Sequence, residues 1–555
     1  MIRFAITLLV SMLISGCGGP PATSVNRPAQ PASADDAIQA LPLAAPAAAA
    51  EGPEMRQEVS QYGITWTFDR PHPVGRFITG DWWVVGPVTI VSITPAPGPA
   101  PAEEAAAAGK SRYGAVALRD DARMRNGSMI IADAHLLLGT AAANPGEQQG
   151  YDSRAKNYHP GLSVALPCTL PAGQALVSSV STTALTDKGE PSSPSALGDA
   201  GLFLAGKVAT VVLSDAAVLT SVAAPPPADA FRPAYAGTSQ RFHTASQLRT
   251  GLLPRLKPVA GTPDFARIAR LFERPWLDHT SSWLVQHTMP GRNQPNYGRE
   301  FARLTSLASL MLLLDVPEEQ RRPLLIGYVQ LGIDLAGLAQ AGRQWFPDGG
   351  HWQGRKWPIL FASLLLDDPT LRTFPALTPG QAVYGNLRYQ PEPGDAPATT
   401  LFQEDLDSYY GSGGDGQRVL WQICVHTGIK PPYEEKPRSS HGKPEQFVDA
   451  YRANNLGSWA GAALAARLMQ AQAQWDHDAF FDLVDRWMRP DELFEVPKWY
   501  PAGCTRTVDP FVEQMWVAYR AQAPAQPGAT TPPRMWVWNA DGRGGRWAAN
   551  PPPAH

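Results

Sequence analysis

The stretch Phe301-Ala302-Arg303-Leu304-Thr305-Ser306-Leu307-Ala308-Ser309-Leu310-Met311-Leu312-Leu313-Leu314 decides how the second half of this chain is built. Phe301, Leu304, Leu307, Ala308, Met311 and Leu314 recur every three or four residues, which puts them on one face of an α-helix. The next apolar run, Leu324 to Ala341, is apolar almost all round, and a helix without a polar face has to be buried. Upstream, Pro263 and Asp264 open a shorter amphipathic run, Phe265 to Phe272. Downstream, Trp357 to Leu366, Arg418 to Thr427, Phe447 to Tyr451, Leu456 to Gln470, Ala479 to Met488 and Phe511 to Tyr519 predict further helices. No fixed-period repeat runs through them, which argues against a short-repeat solenoid.

Before residue 226 the pattern changes to period two. Tyr62-Gly63-Ile64-Thr65-Trp66-Thr67-Phe68 alternates like a half-buried strand, and Gly75 to Gly80 and Trp82 to Ile93 continue with β-branched and aromatic residues between Gly and Pro breaks. Short strands are predicted at Gly127 to Ala132, Ala175 to Thr182, Gly206 to Leu213 and Val218 to Val222. The fold class that follows is multidomain α+β: a β-sandwich-like domain over 55–225, a linker over 226–262 opened by Pro225-Pro226-Pro227, an all-helical, α/α-toroid-like domain over 263–525, and a C-terminal tail over 526–555.

At the other end, Arg3 precedes a short apolar run, Ala5 to Ile14, too short to span a bilayer of about 20 apolar residues. Leu13-Ile14-Ser15-Gly16-Cys17 resembles the lipobox of bacterial lipoproteins. The resemblance implies a signal peptide over 1–16, lipidation of Cys17 and a membrane held through several acyl chains. Gly18, where an Asp would mark inner-membrane retention, points to a cell-envelope location at the outer membrane in a Gram-negative source. Residues 17–54 are rich in Pro, Ala and Ser without periodicity and read as a flexible tether.

A net charge of −3 gives no global attraction for nucleic acid, so no nucleic-acid partner is expected. No GxSxG elbow, HExxH or P-loop is present. Besides Cys17 there are Cys168, Cys424 and Cys504; an oxidising compartment permits one disulfide, for which Cys424 with Cys504 is the expected pair. No Cys/His spacing suggests zinc, and no cofactor is expected. The 17 tryptophans raise the prospect of carbohydrate contact, because indoles stack on sugar faces as well as they pack cores.

Three loops concentrate chemistry. The first, His287 to Arg299, carries Asn296, Tyr297 and Arg299. The second, Trp345 to Trp357, carries Asp348, His351, Trp352, Arg355 and Lys356. Both are richer in Gly, His, Arg and aromatic residues than a helix connection requires. Removing a proton α to a uronate carboxylate needs cations or amides on the carboxylate, a base and an acid. Arg355, Lys356, Arg299 and Asn296 suit the first role, His351 or Tyr297 the base, Tyr297 the acid, and Trp352 a sugar platform. Asn296 equally suits a helix cap. The third loop, Phe402 to Gly416, carries Glu404, Asp405 and Asp407, which with Asp348 could supply the paired carboxylates of a glycoside hydrolase. Its spacing does not match an EF-hand, and calcium is left open.

A strand-rich module joined to a helical ring, exported and Trp-rich, resembles α/α-toroid polysaccharide lyases and glycoside hydrolases at the level of architecture. The resemblance implies a polysaccharide substrate, with β-elimination of an acidic glycan as the first expectation and hydrolysis as the second. A non-catalytic glycan-binding or envelope-structural lipoprotein is the other class.

Overall fold

The computed structural model describes residues 53–98, 124–132, 149–155, 158–183, 211–238, 241–279, 288–295, 297–341, 343, 345, 350–374, 402–410, 419–421, 445–489, 507–523, 534–538 and 545–549. The expectations for Cys17, the signal peptide and nearly all of the tether, and for Asn296, Asp348, Cys424 and Cys504, lie outside the described residues. The fold is mixed α+β, with strands in the N-terminal region and helices after it.

Eight strands form one sheet: β1 (Glu54–Gln61), β2 (Ile64–Arg76), β3 (Trp82–Val85), β4 (Val88–Thr94), β5 (Ser128–Ile130), β6 (Cys168–Leu170), β7 (Ala175–Ser181) and β8 (Leu213–Val222). Their order is β5-β7-β8-β3-β2-β4-β6, with β1 also paired to β2. Only β3 with β8 runs parallel among these pairs. β2 pairs with β4 through Thr65 to Phe68 and with β3 through Val74 to Arg76, so one long strand serves both halves. The sheet curls into a half-barrel. Trp66 Nε1 on β2 donates to Ser178 Oγ on β7 at 2.9 Å, which ties the two halves across an apolar cluster of Ile64, Trp66, Phe68, Val84, Ile90, Leu176 and Leu219.

All ten residues of β8 are buried. Ala217 and Leu219 join the cluster inside the curl, whereas Ala216 and Val218 face a second core shared with the helices. A strand covered on both faces reads as a near-continuous apolar run, as this one does. Leu213 and Val218 to Val222, expected in two separate strands, lie in this one, and Asp215 between them is engaged by Arg274 and by Arg292 Nε, the latter at 3.0 Å.

The helices are α1 (Phe265–Phe272), α2 (Gly298–Leu312), α3 (Glu318–Gln340), α4 (Lys356–Leu365), the single turn α5 (Gln403–Leu406), α6 (Glu445–Leu468), the short α7 (Gln472–Trp475), α8 (Asp478–Trp487) and α9 (Pro510–Tyr519). Asp264 caps α1 by accepting from Arg267 N at 2.8 Å. Every residue of α2 is buried, including those off its apolar face, so it is the central helix of the helical part. It meets α6 closely: a Cβ on Gly461 would stand 2.7 Å from the Ser306 Cβ, and Ser306 Oγ donates to Ser458 O at 3.0 Å.

The helices expected at Phe447 to Tyr451 and Leu456 to Gln470 are one helix, α6. Asn455, in the gap between the two expected helices, is turned inward to accept from Gln353 Nε2 at 3.2 Å. The run expected to be helical from Arg418 holds strand β10 (Val419–Trp421), paired with β9 (Ser408–Tyr410). Val-Leu-Trp is short and apolar, and periodicity cannot separate helix from strand over such a length. Residues 534–538 and 545–549, within the expected tail, form the hairpin β11 (Arg534–Trp538) and β12 (Gly545–Ala549), which extends that small sheet.

The segment 226–262, expected as a linker, is built into the structure. Ala230, Phe231, Arg232, Tyr235 and Ala236 are buried. Arg232 joins the two parts, donating through Nε to Asp81 Oδ2 at 2.8 Å beside β3 and through Nη1 and Nη2 to Asp334 on α3 at 2.9 and 2.6 Å. The two flanking carboxylates hold the guanidinium charged against the cost of burying it. No described helix is long and apolar enough to cross a membrane.

Candidate functional site

The site grows from the start of α2. Tyr297 stands at its N-cap, and the amide of Arg299 donates to Gly350 O at 2.8 Å, so the second expected loop supplies a helix-terminal acceptor to the first. The fit is close. A Cβ on Gly298 would lie 2.0 Å from His351 O, and a Cβ on Gly354, which holds φ +89°, would lie 2.5 Å from Ala302 Cα. Only glycine permits both approaches.

This clasp sets the His351 ring edge-on to Tyr297, with centroids 4.8 Å apart and planes at 86°. Arg299 lies over Tyr297 at 5.2 Å and donates through Nε to Glu300 Oε1 at 2.5 Å. Enclosure of the His351 ring, and then the nearby Arg355, lowers its pKa from 6.5 to about 4, so the imidazole is neutral at pH 7.

Arg355 is buried beneath, its guanidinium 3.7 Å from the centre of the Phe301 ring. Nε and Nη2 each donate to one Asp278 carboxylate oxygen at 2.9 Å, and Nη1 donates to Gln353 O at 2.8 Å and to His351 O at 3.4 Å. The guanidinium expected to meet substrate is thus occupied inside the chain, where it fixes the His351 backbone. Trp352, expected as a sugar platform, is also buried, between Arg343 and Arg355 at 5.5 and 5.4 Å. Its amide donates to Gln403 Oε1 at 2.8 Å.

The second and third expected loops therefore meet. Lys356 Nζ donates to Asp405 Oδ2 at 2.6 Å, and Asp405 also accepts from Trp475 Nε1 at 2.8 Å and Phe402 N at 2.9 Å. With those bonds Asp405 anchors α5 rather than facing an open cleft. Asp407 is fully buried and accepts from Gln403 Nε2 at 3.2 Å. Glu404 differs: burial first, then the adjacent Asp405, pushes its pKa from 4.5 up to about 7. Gly354 N donates to Glu404 Oε2 at 3.4 Å. Among the described residues no group of three or more His, Cys, Asp or Glu is placed to hold a metal ion.

Sequence reasoning missed Asp278 and His279. Asp278 pairs with Arg355, accepts at its carbonyl from Arg343 Nε at 2.9 Å, and donates its amide to Tyr235 Oη at 3.0 Å. The signal available was the acid-His pair in Trp276-Leu277-Asp278-His279, which sits outside every periodic run. Cys168, half-buried on β6, is a free thiol. No family model, curated protein or solved structure matches this chain.

Proposed function

We propose that the chain is an exported carbohydrate-active enzyme that cleaves an acidic polysaccharide by β-elimination. The observation that carries this reading is the juxtaposition of a neutral His351 with Tyr297, 4.8 Å apart, beside Arg299. At a pKa of about 4 the His351 imidazole is in its neutral form at pH 7, the protonation state from which a general base acts. In the proposed step His351 takes the C5 proton α to the uronate carboxylate, and the electron pair forms the C4–C5 double bond. The C4 oxygen then leaves with a proton from Tyr297 Oη. Atoms and charge balance without a co-reactant. Arg299, buried and bonded to Glu300, is assigned with Asn296 to the uronate carboxylate, which it would take in exchange for Glu300, while Arg355 and Lys356 act as positioning residues through Asp278 and Asp405.

In this reading the facing halves of the curled sheet are the sandwich-like module, the helices around α2 are the toroid-like one, and Cys17 carries the lipid that holds the enzyme at the cell envelope. Hydrolysis is the second reading, favoured by one observation: Glu404, with a pKa near 7, is suited to donate a proton to a leaving glycosidic oxygen. Mass spectrometry of oligouronates treated with the full chain separates them. Elimination gives one fragment lighter by a water than its hydrolytic counterpart; fragments that have all gained water overturn the lyase reading.

A further inference from the structure

His351, itself half-buried, opens a strap over residues 351–355 that forms neither helix nor strand before α4 begins at Lys356. Backbone of this kind has to find its hydrogen bonds on neighbouring elements. Successive residues of the strap turn alternately to two sides. Toward α5, the Trp352 amide donates to Gln403 Oε1 at 2.8 Å, the Gly354 amide to Glu404 Oε2 at 3.4 Å and Lys356 Nζ to Asp405 Oδ2 at 2.6 Å. Toward the other side, Gln353 donates through Nε2 to Asn455 Oδ1 on α6 at 3.2 Å and accepts from Trp459 Nε1, while Arg355 holds Asp278. Every second residue of the strap thus meets the next residue along α5, and a slip of one position would turn each partner to the wrong side.

The first of these bonds acts on His351 directly. The Trp352 amide belongs to the peptide that leaves His351, and the carbonyl of that same peptide accepts from Arg355 Nη1 at 3.4 Å. One peptide plane is therefore held at both ends, and its orientation sets the direction in which the His351 side chain leaves the backbone. Gln403 can hold it only with its amide facing one way. A backbone N–H only donates and an ionised carboxylate only accepts, and Gln403 Nε2 donates to Asp407 Oδ2 at 3.2 Å, so the two partners together fix that orientation. Both Gln403 and Asp407 are fully buried, and bulk solvent does not compete for either bond.

We propose that Gln403 and Asp407 are positioning residues for His351: Asp407 orients the Gln403 amide, and Gln403 holds the peptide that aims the imidazole at Tyr297. Asp407 then works through Gln403 rather than on a glycosidic bond. The assignment rests on the reading of His351 as the base, so its test follows the imidazole itself as well as the reaction.

Three measurements on the full chain test it, and the first needs no variant. In the unaltered protein the Trp352 amide should exchange with solvent as slowly as amides in the middle of α2; exchange at the rate of an open loop overturns the proposal. Second, NMR of the histidine-labelled chain follows the His351 ring, whose signal is the one lost in His351→Ala. Enclosure beside Tyr297 and Trp352, and then the charge of Arg355, lowers its pKa to about 4, and in Gln403→Met, which removes both bonds at similar volume, it should move up toward 6.5. Third, kcat on oligouronates should fall roughly ten- to a hundredfold in Gln403→Met with KM little changed, since a displaced base slows the step without weakening binding. Gln403→Glu keeps an acceptor for the Trp352 amide, and its carboxyl, held protonated by the facing Asp407, can donate to Asp407, so it should recover part of both losses. A folded Gln403→Met protein with the His351 titration and kcat of the unaltered chain overturns the proposal. If the unaltered chain cleaves no uronate, the lyase reading falls, and the Trp352 exchange and the His351 titration still decide the positioning role.

Discussion

Arg355 and Asp278 form a bidentate pair, both bonds 2.9 Å, between two side chains that are each no more than 1% exposed. The pair joins the segment after α1 to the loop that carries His351, so it sets the height of that loop over α2. Breaking a buried pair leaves one charge uncompensated, which costs about 3 to 5 kcal/mol. Asp278→Asn and Arg355→Met should each lower stability by that order in urea titration. The double variant should recover part of the loss, and losses below about 1 kcal/mol in the single variants contradict a structural role.

Gly298→Ala tests the clasp. At an exposed helical position Gly to Ala stabilises by roughly 0.5 to 1 kcal/mol. Here the new methyl meets His351 O at 2.0 Å, and the Arg299 amide holds the neighbouring Gly350 carbonyl in place. The sign should reverse, with a loss of about 1 to 3 kcal/mol and a fall in turnover as His351 moves off Tyr297. A more stable and equally active variant contradicts the arrangement.

Stability should depend on pH through the two histidines. Their folded pKa values, about 3 for His279 and about 4 for His351, lie below the ordinary 6.5. Between 6.5 and those values the unfolded chain binds protons that the folded chain does not, so stability is full above pH 6.5 and is lost as pH falls. His279→Phe should flatten this acid-side slope in denaturant midpoints measured from pH 6.5 downward. Glu404 acts in the opposite sense. Its pKa is raised from 4.5 to about 7, so the folded state holds the extra proton, and stability from this group falls as pH rises across that window. Glu404→Gln should abolish that fall.

The same two groups separate the mechanisms in a pH profile of kcat/KM. A His351 base predicts an acid limb near pH 4, well below the 6.5 of an ordinary imidazole. A Glu404 acid predicts an alkaline limb near pH 7 that Glu404→Gln removes along with the activity. Retained activity in Glu404→Gln excludes the hydrolytic reading.

Local pattern made α1 legible to its end residues, because Asp264 caps it and its apolar positions keep helical period. It also singled out His351, Tyr297, Arg299 and Arg355. It could not show that Arg355 is spent on Asp278 or Lys356 on Asp405, because both partnerships join positions distant in sequence. Asn455 and Asp215 fall in the gaps left between expected elements, because a polar residue inside an apolar element interrupts the pattern until its buried partner is known. Arg232 was passed over in a Pro-rich stretch, although an isolated cation between two apolar regions is a candidate for a buried ion network.

The rate at which unsaturated uronate appears, followed by its ultraviolet absorbance, tests the central claim most directly when His351→Ala and Tyr297→Phe are compared with the unaltered chain. Loss of a general base or acid costs about 10²- to 10⁴-fold, and both variants should lose rate on that scale while circular dichroism shows them folded. Removing the His351 ring forfeits its contact with Tyr297, so a melting temperature lower by a few degrees is expected alongside. A folded His351→Ala protein that forms unsaturated product at the unaltered rate would contradict the assignment of His351 as the base.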